Sequence, residues 1–142
     1  MLSFEDLMHD HGAIFAAVRD LVREIGDGAG AATLSTGLGQ LDSLLTPHLA
    51  IEDEQIYPLL LASDDAGQRI MAEEAINAFA SVASDWRSFV ARWDEPAIAA
   101  YRDGFVSGLQ ALLDTLQQRV RAENEILYPM ALRGAHIRLR AA

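Results

Sequence analysis

Cysteine and lysine are both missing from this 142-residue chain. Without cysteine there is no disulfide, no thiolate metal site and no thiol nucleophile. Without lysine, all 11 basic residues are arginine, and they face 21 acidic ones for a net charge of −10. That balance argues against nucleic acid or an anionic membrane surface as partner, since both require clustered positive charge. Long apolar runs are missing too: residues 59–62 (Leu-Leu-Leu-Ala) are far too short to span a bilayer. The N-terminus is acidic early and lacks the uninterrupted apolar stretch of a secretory signal. The chain reads as a soluble cytoplasmic protein, one domain over residues 1–142.

What is present is helical periodicity. Ser3 caps a first helix whose apolar stripe is Phe4, Leu7, Met8, His11, Ile14, Phe15, Val18, Leu21, Val22 and Ile25, stopping at Gly26. A second begins near Thr33 to Ser35 and turns Leu38, Leu41, Leu44, Leu45, His48, Glu52 and Ile56 inward. Pro47 should kink it just before His48, and Tyr57-Pro58 should end it or bend it sharply. Asp64-Asp65 opens a third helix to about Arg92, with Met71, Ala72, Ala75, Phe79, Val82, Trp86, Phe89, Val90 and Trp93 inside. Asp94 and Pro96 open a fourth to about Tyr128, carrying Ile98, Tyr101, Phe105, Leu109, Leu112, Leu113, Leu116, Arg119 and Glu123. No strand pattern or glycine-rich phosphate loop competes. The expectation is an all-α, antiparallel up-and-down four-helix bundle.

The chemistry concentrates in one stretch and its echo. His48 and Glu52 lie one helical turn apart, so both project from one face, ahead of Tyr57-Pro58. Near the C-terminus Glu123 and Tyr128-Pro129 repeat the spacing, but Arg119 stands where the first copy has His48. In an up-and-down bundle His11, His48, Glu52 and Glu123 meet at one end, at similar depth. Two imidazoles and two carboxylates facing inward are costly without a compensating cation, and a divalent metal supplies one. Each residue alone has a plainer reading: His11 as a hydrogen-bonded core residue, Glu52 or Glu123 as half of an ion pair with Arg119. His9 and His136 lie off the stripes and are expected in solvent. Glu54 and Glu125 are expected to point sideways.

Segments 7–14 (Leu-Met-His-Asp-His-Gly-Ala-Ile), 48–58 and 123–129 give the chain a resemblance to the hemerythrin HHE cation-binding family. The resemblance implies a four-helix bundle around a di-iron centre, in proteins that bind oxygen, sense oxygen, iron or redox state, or handle nitric oxide and iron. It assigns His11, His48, Glu52 and Glu123 as metal ligands. Two family histidines are lacking: Ala75 takes the place of one on the third helix and Arg119 that of one on the fourth. A shifted alignment would offer Glu73 instead of Ala75, far from the stripe. The resemblance thus leaves the ligands of one metal and removes the terminal ligands of its partner.

Three readings follow. The first is a hemerythrin-like protein with a degenerate mononuclear site for iron, manganese or zinc, serving metal, oxygen or redox sensing, with dioxygen or another diatomic as further ligand. The second is a metal-free relic in which Arg119 neutralises Glu52 and Glu123, acting as a homodimer or protein-interaction module through Trp86, Trp93 or the arginine-rich tail. Trp86 and Trp93 are nevertheless expected to be ordinary core residues. The third, a metal-dependent oxidase or peroxidase, rests only on the general chemistry of such sites. The guanidinium of Arg119 is expected to point inward and fill the space beside Ala75.

Overall fold

The computed structural model describes residues 3–133, and helix accounts for nearly all of them, with no strand among the described residues. Helix α1 spans Phe4–Gly26 and α2 Ala31–Ile51. A single π-helical turn, Glu52–Ile56, joins α2 directly to α3, Tyr57–Leu61. Then follow α4 (Ala66–Phe79), α5 (Val82–Arg92), α6 (Glu95–Ala100) and α7 (Arg102–Ala122). A second π-turn, Glu123–Leu127, carries the last helical run on to residue 133. His136 and most of the arginine-rich tail lie outside the described residues.

Three side-chain caps start helices where the sequence places them. Ser3 accepts from the Asp6 amide at 3.3 Å, Asp65 from Gln68 at 3.2 Å, and Asp94 from Ala97 at 2.9 Å. The α1–α2 connection turns at Gly28, whose φ of +73° is a conformation glycine takes without steric cost. The carbonyls of Ile25, at the end of α1, and of Ala29, in the connection, are tied to the start of α7 by the Arg102 guanidinium.

Four expectations change. The second helix does not end at Tyr57-Pro58: it runs through Pro47, widens over Glu52–Ile56, and resumes with Pro58 in the first turn of α3. In an unbroken α-helix Pro58 would leave a carbonyl without its donor and crowd it with the ring. The π-turn, closed by the Tyr57 amide on the Glu52 carbonyl, absorbs that fault, and Tyr128 on Glu123 does the same before Pro129. The third helix is broken at residues 80–81, and the fourth at Tyr101. Finally Met8, Val22, Leu44, Met71 and Tyr101 are exposed, while Leu34 and Leu49 are buried instead. The first four each adjoin a buried residue, and one step along a helix turns a side chain by about 100°, off the core-facing stripe. Tyr101 sits at the break, where helical spacing stops applying.

The helices pack α1 on α2, α2 on α5, α5 on α7, α4 on α7 and α3 on α4, with α6 lying across α2 and α7. Their apolar faces form two clusters rather than one. The larger runs from Ile14 and Leu21 through Leu34, Leu41, Trp86, Phe89 and Phe105 to Leu116. The smaller gathers Leu7, Ile56, Tyr57, Leu60, Ala72, Ala75, Leu127 and Tyr128. Trp86 and Trp93 are core residues, Trp86 donating its indole N–H to Asp42 at 2.8 Å. In chain order His11 lies between Leu7 and Ile14, and Glu123 between Val120 and Leu127, so each separates members of the two clusters. A polar layer is thus enclosed between apolar ones.

Candidate metal centre

That layer consists of His11 from α1, His48 from α2, Glu52 from the first π-turn, Arg119 from α7 and Glu123 from the second π-turn, all buried. His9, Glu54, Glu73, Glu74 and Glu125 are exposed and outside it. The shifted alternative, Glu73, therefore contributes nothing here. One ligand-type atom from each of His11, His48, Glu52 and Glu123 can be chosen so that all lie within 4.8 Å of one another. The two imidazole rings meet edge to face at 4.7 Å between centroids.

Each imidazole is oriented from behind. His11 Nδ1 pairs with Asn124 Oδ1 at 2.9 Å, and His48 Nδ1 with Asp10 Oδ2 at 3.2 Å. Both partners accept, so each ring carries its proton on Nδ1 and, when neutral, turns a lone pair on Nε2 into the cluster. His48 Nε2 lies 3.1 Å from Glu52 Oε1, and His11 Nε2 lies 3.3 Å from Glu123 Oε1.

Each carboxylate is hydrogen-bonded through one oxygen, and the other faces only ion-pair neighbours. Glu123 Oε2 accepts from the Tyr57 hydroxyl at 3.0 Å and from Arg119 Nε at 3.2 Å. Glu52 Oε2 accepts from the Tyr128 hydroxyl. Oε1 of Glu52, Oε1 of Glu123 and Nε2 of His48 are buried without any hydrogen-bond partner. Buried polar atoms are rarely left so, and here three of them share one point in the fold.

Proton affinities follow from this crowding. Burial opposes the charged form of His11, but the carboxylates of Glu123 and Glu52 outweigh it and raise its pKa to about 9. His48 is likewise raised, burial being overcome by Glu52 and Asp10. Burial works against ionised Glu52 too, yet His11 and His48 hold it well below the usual carboxylate range. Glu123 moves the other way, to about 7, through burial and the neighbouring Glu52 charge. The two carboxylates are thus pushed apart in proton affinity, Glu52 below the ordinary range and Glu123 above it.

Arg119 points inward, as expected, and does more than pair with its own helix. Nε holds Glu123, Nη2 lies 2.8 Å from Asp53 Oδ1 and 3.5 Å from Glu52 Oε1, and Nη1 donates to the Phe79 carbonyl at 3.3 Å. Its carbon lies 5.1 Å from the Tyr57 ring centroid. It does not fill the space beside Ala75: a cavity of about 280 Å³ remains, lined by both residues. A guanidinium committed to four oxygens cannot also extend into the gap.

Residues 2–131 match the family described as the hemerythrin HHE cation-binding domain. The chain belongs to the hemerythrin HHE family. Neither the curated proteins nor the solved structures yield a match. Family membership together with the buried His/Glu cluster points to a metal-binding hemerythrin-like protein. No helix among the described residues is long and apolar enough to cross a membrane.

Sequence periodicity did not single out Asp10, Asp53, Asn124 or the hydroxyls of Tyr57 and Tyr128. A weak signal existed: Asp10, Asp53 and Asn124 each adjoin a candidate ligand in the chain, and both tyrosines stand five residues after an inward glutamate. Nothing in helical spacing says that a neighbour of a buried residue will reach across to another helix.

Proposed function

We propose that this hemerythrin-family protein holds one divalent metal ion on His11, His48, Glu52 and Glu123 and serves in metal, oxygen or redox sensing. The observation that carries the reading is the convergence of Nε2 of His48 with Oε1 of Glu52 and Glu123, all buried and unpartnered. A cation placed among them satisfies all three, and with neutral imidazoles two carboxylates cancel its two charges. The finer architecture belongs to the same reading: α1, α2 with α3, α4 with α5, and α6 with α7 form the legs of an antiparallel four-helix bundle.

The chain's own residues prepare the donors. Asn124 and Asp10 aim the two Nε2 atoms, while Tyr57, Tyr128 and Arg119 pin one oxygen of each carboxylate and leave the other without a hydrogen bond. Arg119 and Ala75 remove the ligands a second ion would need, so one ion per chain is the expected limit. Iron(II) is the ion the family implies, and manganese or zinc suits the same donor set. When bound, such an ion supplies Lewis acidity and, for iron, one-electron redox chemistry and affinity for a diatomic ligand.

Elemental analysis of protein purified without chelator tests this, alongside thermal unfolding with added iron(II), manganese(II) or zinc(II). At most one ion per chain and a metal-dependent rise in Tm are expected, both lost in His48→Ala and Glu52→Ala. No ion and no shift with any of the three would overturn it.

One observation favours a metal-free reading. Arg119 reaches three carboxylates, and His11 is held protonated to about pH 9, so the layer is charge-compensated by a guanidinium and protons alone. In that reading the protein is an interaction module whose contacts do not involve the buried Trp86 and Trp93.

A further inference from the structure

The cavity beside Ala75 lies between α3, α4 and α7. Its walls are largely apolar, from Leu61, Ala75, Ile76 and Phe79; its charged groups are Arg119 and Asp53, and Tyr57, which also lines it, has its hydroxyl engaged by Glu123. Arg119 is fully buried, whereas the Asp53 side chain is 36% exposed, so the pair spans from the protein interior toward solvent. The Nη2–Oδ1 separation is 2.8 Å, so Arg119 is engaged on Asp53 Oδ1 and the partly exposed carboxylate is the charged group a ligand can reach.

We infer that this cavity binds a small uncharged molecule with an apolar, ring-sized body and one hydroxyl group. The hydroxyl donates to the Asp53 carboxylate, while the body packs among the α3 and α4 side chains. Charge selects against other ligands. Arg119 already faces the carboxylates of Glu52, Glu123 and Asp53, so an anion would add a fourth negative group around one cation. A cation would give up its hydration to apolar walls and meet Arg119 at close range. A metal ion would find one carboxylate and no imidazole. The volume, about 280 Å³, is at the small end of ligand pockets and suits a body of roughly ten heavy atoms. The inference does not depend on a metal being bound on the other side of Arg119.

The test uses 4-ethylphenol as probe, with 4-ethyltoluene and 4-ethylbenzoate as comparisons, followed by calorimetry and by NMR shifts on the full chain. A dissociation constant on the order of 0.5 mM is expected for the phenol. Binding of the hydrocarbon and the benzoate should be at least about tenfold weaker. Ala75→Leu fills the cavity from within and should abolish binding. If it folds poorly, Ala80→Trp blocks the cavity from an exposed position at the end of α4 and should do the same. Metal content is measured on the same samples: phenol binding lost in Ala80→Trp with metal content unchanged supports the inference. No phenol binding by a folded parent protein overturns it and leaves the metal proposal standing. Equal binding of all three probes, or shifts away from Ala75, Phe79 and Arg119, also overturns it.

Discussion

Tyr57 donates its hydroxyl to Glu123 at 3.0 Å, from one helical run to another. The relationship is reciprocated, since Tyr128, five residues after Glu123, donates to Glu52, five residues before Tyr57. Each π-turn therefore sends its glutamate into the polar layer and its tyrosine onto the other turn's glutamate. Burial and the carboxylate charges raise both phenols, so they stay protonated donors.

Removing one hydroxyl leaves a buried carboxylate oxygen with a partner fewer. Tyr128→Phe should be the more costly change, because Glu52 Oε2 has no guanidinium to fall back on, whereas Glu123 Oε2 keeps Arg119. Losses of about 2 kcal/mol for Tyr128→Phe and about 1 kcal/mol for Tyr57→Phe are expected from denaturant unfolding. The reverse order would mean that Arg119 does not support Glu123 Oε2 once the Tyr57 hydroxyl is gone.

Arg119→Ala should be among the most damaging single changes in the chain. It strands Glu123, Glu52 and Asp53 around a hole lined by apolar groups, at a cost on the order of 3 kcal/mol. Divalent metal should restore part of this, because an ion that binds only the folded state raises its stability. Chemical denaturation with and without manganese(II) reads both effects.

The metal-free protein should lose stability as pH rises from about 6 to 9. His11 goes from an ordinary value of 6.5 to about 9 on folding, and a raised pKa means its stabilising protonation is complete below 6.5 and lost through 9. Glu123, raised from 4.5 to about 7, acts in the same sense: folding favours its protonated form, and that advantage disappears as pH passes 7. Glu52 contributes the opposite trend only in acid, where protonation removes its pairing with the histidines. A fall in Tm on the order of 5–10 °C between pH 6 and 9 is expected. Metal-loaded protein should be flatter there, since an ion takes the place of those protons. A metal-free Tm that climbs over this range would contradict the assignment of His11 and Glu123.

Replacing Ala75 and Arg119 together by histidine should raise metal content toward two ions per chain. Both positions face the same cavity, so the new imidazoles have room to turn toward Glu52 and Glu123. Elemental analysis and the absorption bands of an oxo-bridged iron pair report the outcome. A well-folded double variant with no more metal than its parent would show that Arg119 is not standing in for a lost ion.

Helix content, the caps at Ser3, Asp65 and Asp94, and the inward placement of His11, His48, Glu52, Arg119 and Glu123 were legible in the sequence. All of these are local: a cap needs a side-chain oxygen three residues before its amide, and a stripe needs only helical spacing. The tertiary structure alone decided what lies between helices. Tyr57-Pro58 looked like a terminus because proline's cost is local, but burial of Ile56, Tyr57 and Leu60 holds the segment helical and a π-turn takes up the mismatch. Asp10, Asp53 and Asn124 adjoin candidate ligands, yet each side chain is committed to a helix other than its own. Helical period fixes the direction of a residue on its own helix and carries no information about which atom of another helix will be 3 Å away. The cavity beside Ala75 has the same origin: a missing side chain becomes an open volume only if Arg119 is held elsewhere, and four oxygens, from its own helical run, α4 and the first π-turn, hold it there.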